Sequence, residues 1–205
     1  MTSAFWLAFI KGYTTTFGLI VAIGAQNAFI LRQGLLKSHI LVVAILASLI
    51  DAFMISISVT GVGAVITSPP PLLITTKYAG ILFLFLYGCK CFYSSLFKSE
   101  KMVDAEARRT RSLKLTILTL LAVSFLNPHM YLDTILIGTI GAALADHQQL
   151  YYILGAILGS TVWFFALSYG AGFLVPIFKK PIAWKILDII IGAIMWGIAL
   201  SVCYI

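Results

Sequence analysis

Long apolar stretches separated by short polar breaks dominate the chain. Runs free of Lys, Arg, Asp and Glu cover 12–31, 38–50, 52–76, 78–89, 115–132, 134–145, 148–178 and 189–205. Bridging the single acids Asp51 and Asp133 merges them into segments near 5–31, 39–66, 72–97, 113–143, 149–175 and 182–205. A helix needs roughly 20 apolar residues to cross the hydrocarbon core of a bilayer. The pattern therefore predicts an all-α polytopic membrane protein with six transmembrane helices. Breaks fall where turn chemistry expects them: Arg32 to Ser38, Ser68-Pro69-Pro70-Pro71, the charged run from Lys98 to Lys114, Asp146 to Gln149, and Pro176 to Pro181.

Composition narrows the class. The 205 residues are 61% hydrophobic and only 10% charged, with mean hydropathy +1.04. Soluble domains carry roughly 25% charge, so a water-soluble globule and a disordered chain are excluded. The net charge of +7 would suit a polyanion in a soluble protein, but no basic patch is interleaved with stacking aromatics as nucleic-acid binding requires. In a membrane protein the same excess marks cytoplasmic loops. With the 98–112 loop inside, alternation puts eleven of the fourteen Lys and Arg on that side. Both termini then face outward if all six segments span. A five-span form with the N-terminus inside is the alternative, since Lys11 interrupts the first segment. Cys89, Cys91 and Cys203 form no disulfide or metal framework. Phosphate-loop, zinc-protease and nucleophile-elbow motifs are absent, so neither an enzyme, a cofactor nor a metal is expected.

A charged linker between three-span halves invites comparison of the two. Residues 1–205 read as one transmembrane domain, with repeats of approximately 1–97 and 113–205 joined by a cytoplasmic linker, 98–112. Three spans is an odd number, so such repeats must be inverted. Asp51 precedes Gly61-Val62-Gly63 at the same spacing as Ser160 precedes Gly170-Ala171-Gly172. The polar cluster Gly24-Ala25-Gln26-Asn27 in the first span likewise corresponds to Ser124–Pro128 in the fourth. Interrupted first and fourth helices are expected.

Candidate chemistry concentrates at these interruptions. Pro128 lacks an N–H and pushes Asn127 away from helical angles, freeing the carbonyl of Ser124. In hydrocarbon that carbonyl needs another partner, so a discontinuous helix whose backbone and Asn127 amide hold a solute competes with a simple kink. Gly24, Gln26 and Asn27 offer donors and acceptors that suit an amino acid's two charged groups, or else they bond neighbouring helices. Asp51 lies mid-span; an acid there costs about 2.5–3.5 kcal/mol on insertion scales and must pair, take a proton or face water. Alternation between proton and cationic solute is the functional reading, and a structural pair with Lys90 is the other. His129 and Asp133 share a helix face at i, i+4, as a proton-passing pair or a hydrogen-bonded one. Asp188, three residues after Lys185, is expected to form a local ion pair with it.

The segments Gly24-Ala25-Gln26-Asn27-Ala28-Phe29-Ile30-Leu31-Arg32-Gln33-Gly34 and Ser124-Phe125-Leu126-Asn127-Pro128-His129-Met130-Tyr131-Leu132-Asp133-Thr134 closely resemble the LysE-type lysine/arginine exporters. The resemblance covers essentially the whole chain. Where the wider superfamily has Pro-Gly-Pro-Asn this chain has Gly-Ala-Gln-Asn, similar to the basic-amino-acid branch, and Asp51 and Asp133 match that branch's acidic positions. It implies a bacterial inner-membrane exporter of arginine and/or lysine driven by the proton gradient. The expected partners are these small molecules, protons and the lipid bilayer; a homo-oligomer stays open. Substrate contacts are expected from Gln26, Asn27, Asp51 and Asn127, proton coupling from Asp51, Asp133 and His129, and helix breaks at Gly24 and Pro128. Export of neutral amino acids or other small solutes on the same scaffold, and a non-transporting scaffold or channel, are the alternatives.

Overall fold

A computed structural model of the chain describes residues 2–21, 24–61, 70–97 and 112–203. Among these residues there are eight α-helices and no strand. They are α1 (Thr2–Ile20), α2 (Ala25–Leu35), α3 (Ile40–Val59), α4 (Pro70–Phe97), α5 (Leu113–Phe125), α6 (Pro128–Ala142), α7 (Asp146–Gly170) and α8 (Pro181–Cys203). Short 3-10 turns, Ala171–Leu174 and Ile177–Lys179, join the last two. The six apolar segments of the sequence map onto this order. The first and fourth are each split, by 80° between α1 and α2 and by 61° between α5 and α6. Among the described residues, three helices are long and apolar enough to cross a membrane alone, and up to five spans result if each bent pair counts as one. Within α4, the stretch Ile81–Phe97 forms a shorter apolar helix. Most of the 98–112 linker lies outside the described residues.

Two apolar clusters stack along the axis of the bundle. Ile55 and Val59 of α3 meet Tyr152, Ile153 and Ala156 of α7, with Ile137 of α6 beside them. Val43 and Ala47 of α3 meet Phe164 of α7, together with Phe29 and Ile30 of α2 and Leu120 and Val123 of α5. Rising numbers in α3 against falling numbers in α7 make the two antiparallel. The second cluster lies toward the end that carries Arg32, Lys37 and Lys114, hereafter the basic end.

α1 runs alongside α7 in the same direction: Phe5 stacks on Tyr151, and Phe17 meets the edge of Trp163. Glycine permits this closeness. A Cβ on Gly12 would collide with the Tyr152 carbonyl, and one on Gly155 with the Phe9 carbonyl. Small residues that bring backbones together are the usual adhesive between helices in lipid, where water supplies no driving force. α4 and α8 form a separate pair, with Trp196 stacked on Phe85 and donating its indole N–H to the Phe85 carbonyl at 3.2 Å. A third cluster, including Ala25, Ala28 and Leu35 of α2, Leu84 and Cys91 of α4 and Leu187 and Ile191 of α8, fastens this pair to α2.

Candidate functional site

Both helix breaks expose carbonyls, and in both a later side chain takes one up. α1 ends at Ile20, whose carbonyl accepts a 2.6 Å bond from Asn27 Nδ2. α5 ends at Phe125, whose carbonyl accepts the Tyr131 hydroxyl at 2.8 Å. The Ser124 carbonyl, expected to lose its partner at Pro128, accepts instead from the Asn127 N–H at 3.3 Å. Met130 N–H then bonds the Asn127 carbonyl at 3.1 Å, so a new helix starts with proline at its first position, where the missing N–H costs nothing. The proline therefore opens α6 and does not kink one continuous helix.

The breaks meet α3 around one cavity of about 140 Å³. Gly24, Gln26 and Asn27 line it from the first break, Asn127 and Asp133 from the second, and Asp51 from α3. Asn27, Asp51 and Asn127 are buried. The Asp51 and Asp133 carboxylates are close enough to act electrostatically on one another. Gln26 Nε2 is buried there without a hydrogen-bond partner, so a donor stands ready beside two acids. Asn27 also serves the fold: it caps Ile20 and accepts the Trp163 indole N–H at 3.3 Å. The four residues expected at a solute site, Gln26, Asn27, Asp51 and Asn127, thus share one cavity with Gly24 of the first break and with Asp133, expected to couple protons. The side chains of His129 and Pro128 lie outside the described part.

Sequence reasoning overlooked the apolar walls. Met54 and Met130 line the cavity, as do Leu19, Ile20, Phe164 and Ile198. Met54 follows Asp51 by three residues and Met130 follows Asn127 by three, so helical spacing from the polar residues could have found both. Ile198 carries no such signal. Toward the end opposite the basic one, the cavity adjoins a larger groove of about 750 Å³ between α3 and α6, which shares Met54 and Thr134 with it. Ser58 of α3, on the Asp51 face, bonds the Thr134 carbonyl of α6 at 2.7 Å. That hydroxyl ties the helices together where the two spaces meet.

The expected pair of Asp188 with Lys185 is not the one observed, nor is the alternative of Asp51 with Lys90. Asp188 pairs with Arg32 of α2, Nη1 to Oδ1 at 2.8 Å, and not locally with Lys185. The reason is its helix face: Asp188 is buried beside Leu187 and Ile191, where Arg32 reaches it from another element. Lys90, the alternative partner for Asp51, neighbours Cys91 of the third cluster, and the cavity around Asp51 includes no Lys or Arg among its described lining. Arg32 also lies within hydrogen-bonding reach of the Cys91 thiol. One guanidinium therefore joins α2, α4 and α8 near the basic end.

Arginine exporter protein ArgO of Serratia proteamaculans is 34% identical over 197 residues, covering 96% of each chain. The proteins of that name from Klebsiella pneumoniae and Salmonella typhimurium are each 34% identical over 192 residues, or 93% of this chain and 90% of theirs. No solved structure matches. The LysE type translocator profile matches residues 17–205, which takes in both helix breaks and the acids Asp51, Asp133 and Asp188, and on that match the chain belongs to the LysE type translocator family.

Proposed function

We propose that this protein exports cationic amino acids, arginine and/or lysine, across the bacterial cytoplasmic membrane, exchanging them for protons by alternating access. One observation carries the reading: two interrupted helices and α3 converge on a cavity whose described lining holds two carboxylates and neither Lys nor Arg. Ionised together, two acids in a low-dielectric space repel each other, and a proton or a cationic guest relieves that repulsion. The same pair cannot comfortably hold both, so arrival of one favours release of the other. Gln26 and the two asparagines supply donors and acceptors for the amino acid's carboxylate and amine. Asp51 is the alternating group, Asp133 its neighbour in the cavity, and His129 a relay toward Asp133.

Six spans in two inverted halves, with both termini periplasmic and the 98–112 linker inside, complete the reading. The correspondence of the two breaks supports it, as does the matching role of the caps on Ile20 and Phe125. The basic end is then cytoplasmic. A cavity near 140 Å³ resembles the ~150 Å³ that admits a benzene ring. Arginine has roughly twice the heavy atoms of that ring, so loading it requires the helices to part.

Expelling one positive charge against 100 mV costs about 2.3 kcal/mol. If Asp51 alone alternates, one proton enters for each cation that leaves and the cycle is electroneutral. The test is arginine counter-transport in proteoliposomes, with Asp51→Asn alongside. Saturable wild-type flux that the variant lacks supports the reading; equal flux from both overturns it. The small cavity favours a second reading, export of a neutral amino acid on the same scaffold, and Asp51→Asn would then spare transport of the zwitterion.

A further inference from the structure

Nearer the basic end lies a layer of polar side chains that the export reading leaves unused. Gln33, Thr116, Ser168 and Ser38 are almost fully buried, at 0%, 2%, 1% and 2% exposure. The amide nitrogen and oxygen of Gln33 and the hydroxyls of the other three have no hydrogen-bond partner.

Helical spacing puts them at one level. Gln33 is one turn beyond Phe29 and Ile30 on α2, Ser168 one turn beyond Phe164 on α7, and Thr116 one turn before Leu120 on α5. Those apolar residues form a single cluster, so the polar residues make the next layer toward the basic end. Gly34 packs directly on the Ser168 carbonyl, and the Ser38 N–H bonds the Gln33 carbonyl at 3.1 Å. The apolar layer separates them from the cavity, with Phe164 belonging to both. Two turns along α5 from Thr116, the Ser124 hydroxyl is also buried and unpartnered, adjoining the Asn127 break.

Buried polar groups are nearly always hydrogen-bonded, and leaving them unpaired in a dry interior is costly. Apolar side chains of equal size would fit this layer at lower cost. Groups unpaired in one conformation of a moving bundle find their partners in another. We propose that Gln33, Ser38, Thr116 and Ser168 form a second cargo station on the cytoplasmic side, shut in this structure, which receives the amino acid before it passes the Phe164 layer. The station rests on the export reading above. It carries an amide and hydroxyls and no formal charge, so it recognises the ammonium and carboxylate head group that all α-amino acids share. Discrimination of the cationic side chain is left to the carboxylates of the central cavity.

The experiment is transport by the purified full chain in oriented proteoliposomes, with arginine or lysine supplied at the cytoplasmic face. Gln33→Met should raise the half-saturation concentration about tenfold for both cargoes, equivalent to about 1.4 kcal/mol. The arginine-to-lysine ratio and the maximal rate should stay within twofold. Thr116→Val/Ser168→Ala should behave alike, and it carries the test if Gln33→Met does not fold. Unchanged half-saturation together with a raised melting temperature overturns the station, because the layer would then be only a burial cost. A wild-type chain without saturable transport overturns the export reading and the station with it.

Discussion

Asp188→Asn leaves the Arg32 guanidinium in place while removing the charge that faces it. The pair is 2.8 Å apart, and its side chains are 10% and 2% accessible, so water cannot replace the lost carboxylate. Breaking a buried pair by removing one partner costs about 3–5 kcal/mol, whereas replacing both with well-packed apolar residues is often neutral. Arg32→Met should cost a similar amount, since a buried carboxylate then lacks its cation. The double variant Arg32→Met/Asp188→Leu should recover most of either loss, giving a coupling of at least ~3 kcal/mol. Equilibrium unfolding in mixed detergent micelles, run on the wild type, Arg32→Met, Asp188→Leu and the double variant, measures this directly. Single effects that sum to the double within about 0.5 kcal/mol would refute the reasoning and make the contact incidental. Cys91 provides an internal control: Cys91→Ala removes a thiol beside Arg32 without touching the charge pair, and should cost less than Asp188→Asn.

Other consequences are open to measurement. Gly155→Leu drives a side chain into the Phe9 carbonyl and should separate α1 from α7, seen as loss of a disulfide between cysteines introduced at Phe5 and Tyr151. Tyr131→Phe removes the cap on the Phe125 carbonyl and should cost about 0.5–1.5 kcal/mol, the net contribution of an ordinary hydrogen bond at a part-buried position, read from the same unfolding experiment. If Asp51 is the sole alternating group, arginine flux in proteoliposomes should be unchanged when the membrane potential is clamped at different values; voltage-dependent flux would require a second proton, with Asp133 its candidate carrier.

The positions of the breaks were legible because they depend on local chemistry. Proline after Asn127 and a glycine-carboxamide cluster at 24–27 cannot continue an apolar helix undisturbed, wherever they fold. The convergence of Gln26, Asn27, Asp51, Asn127 and Asp133 was legible for a related reason: polar groups in lipid must find one another. The 80° and 61° turns were not, because packing against α3 and α7 sets an angle that no single residue encodes. Nor was the Arg32–Asp188 pair. Lys185 is three residues from Asp188 and Arg32 is 156 away, and sequence spacing favours the neighbour, whereas burial selects the side chain that can reach inward. The polar layer around Gln33 was hidden for the opposite reason: Thr and Ser inside apolar runs usually bond their own helix, and only coordinates reveal that these do not.

The lengthwise contact of α1 with α7 bears on how the molecule comes together. α1 has its most extensive surface in a segment synthesised some hundred and forty residues later, so it must wait in the bilayer for a mate from beyond the 98–112 linker. Each half alone leaves a glycine-lined flank uncovered. Two polypeptides severed between 98 and 112 should still recombine into a working transporter when made together in one cell, while either fragment by itself should be degraded.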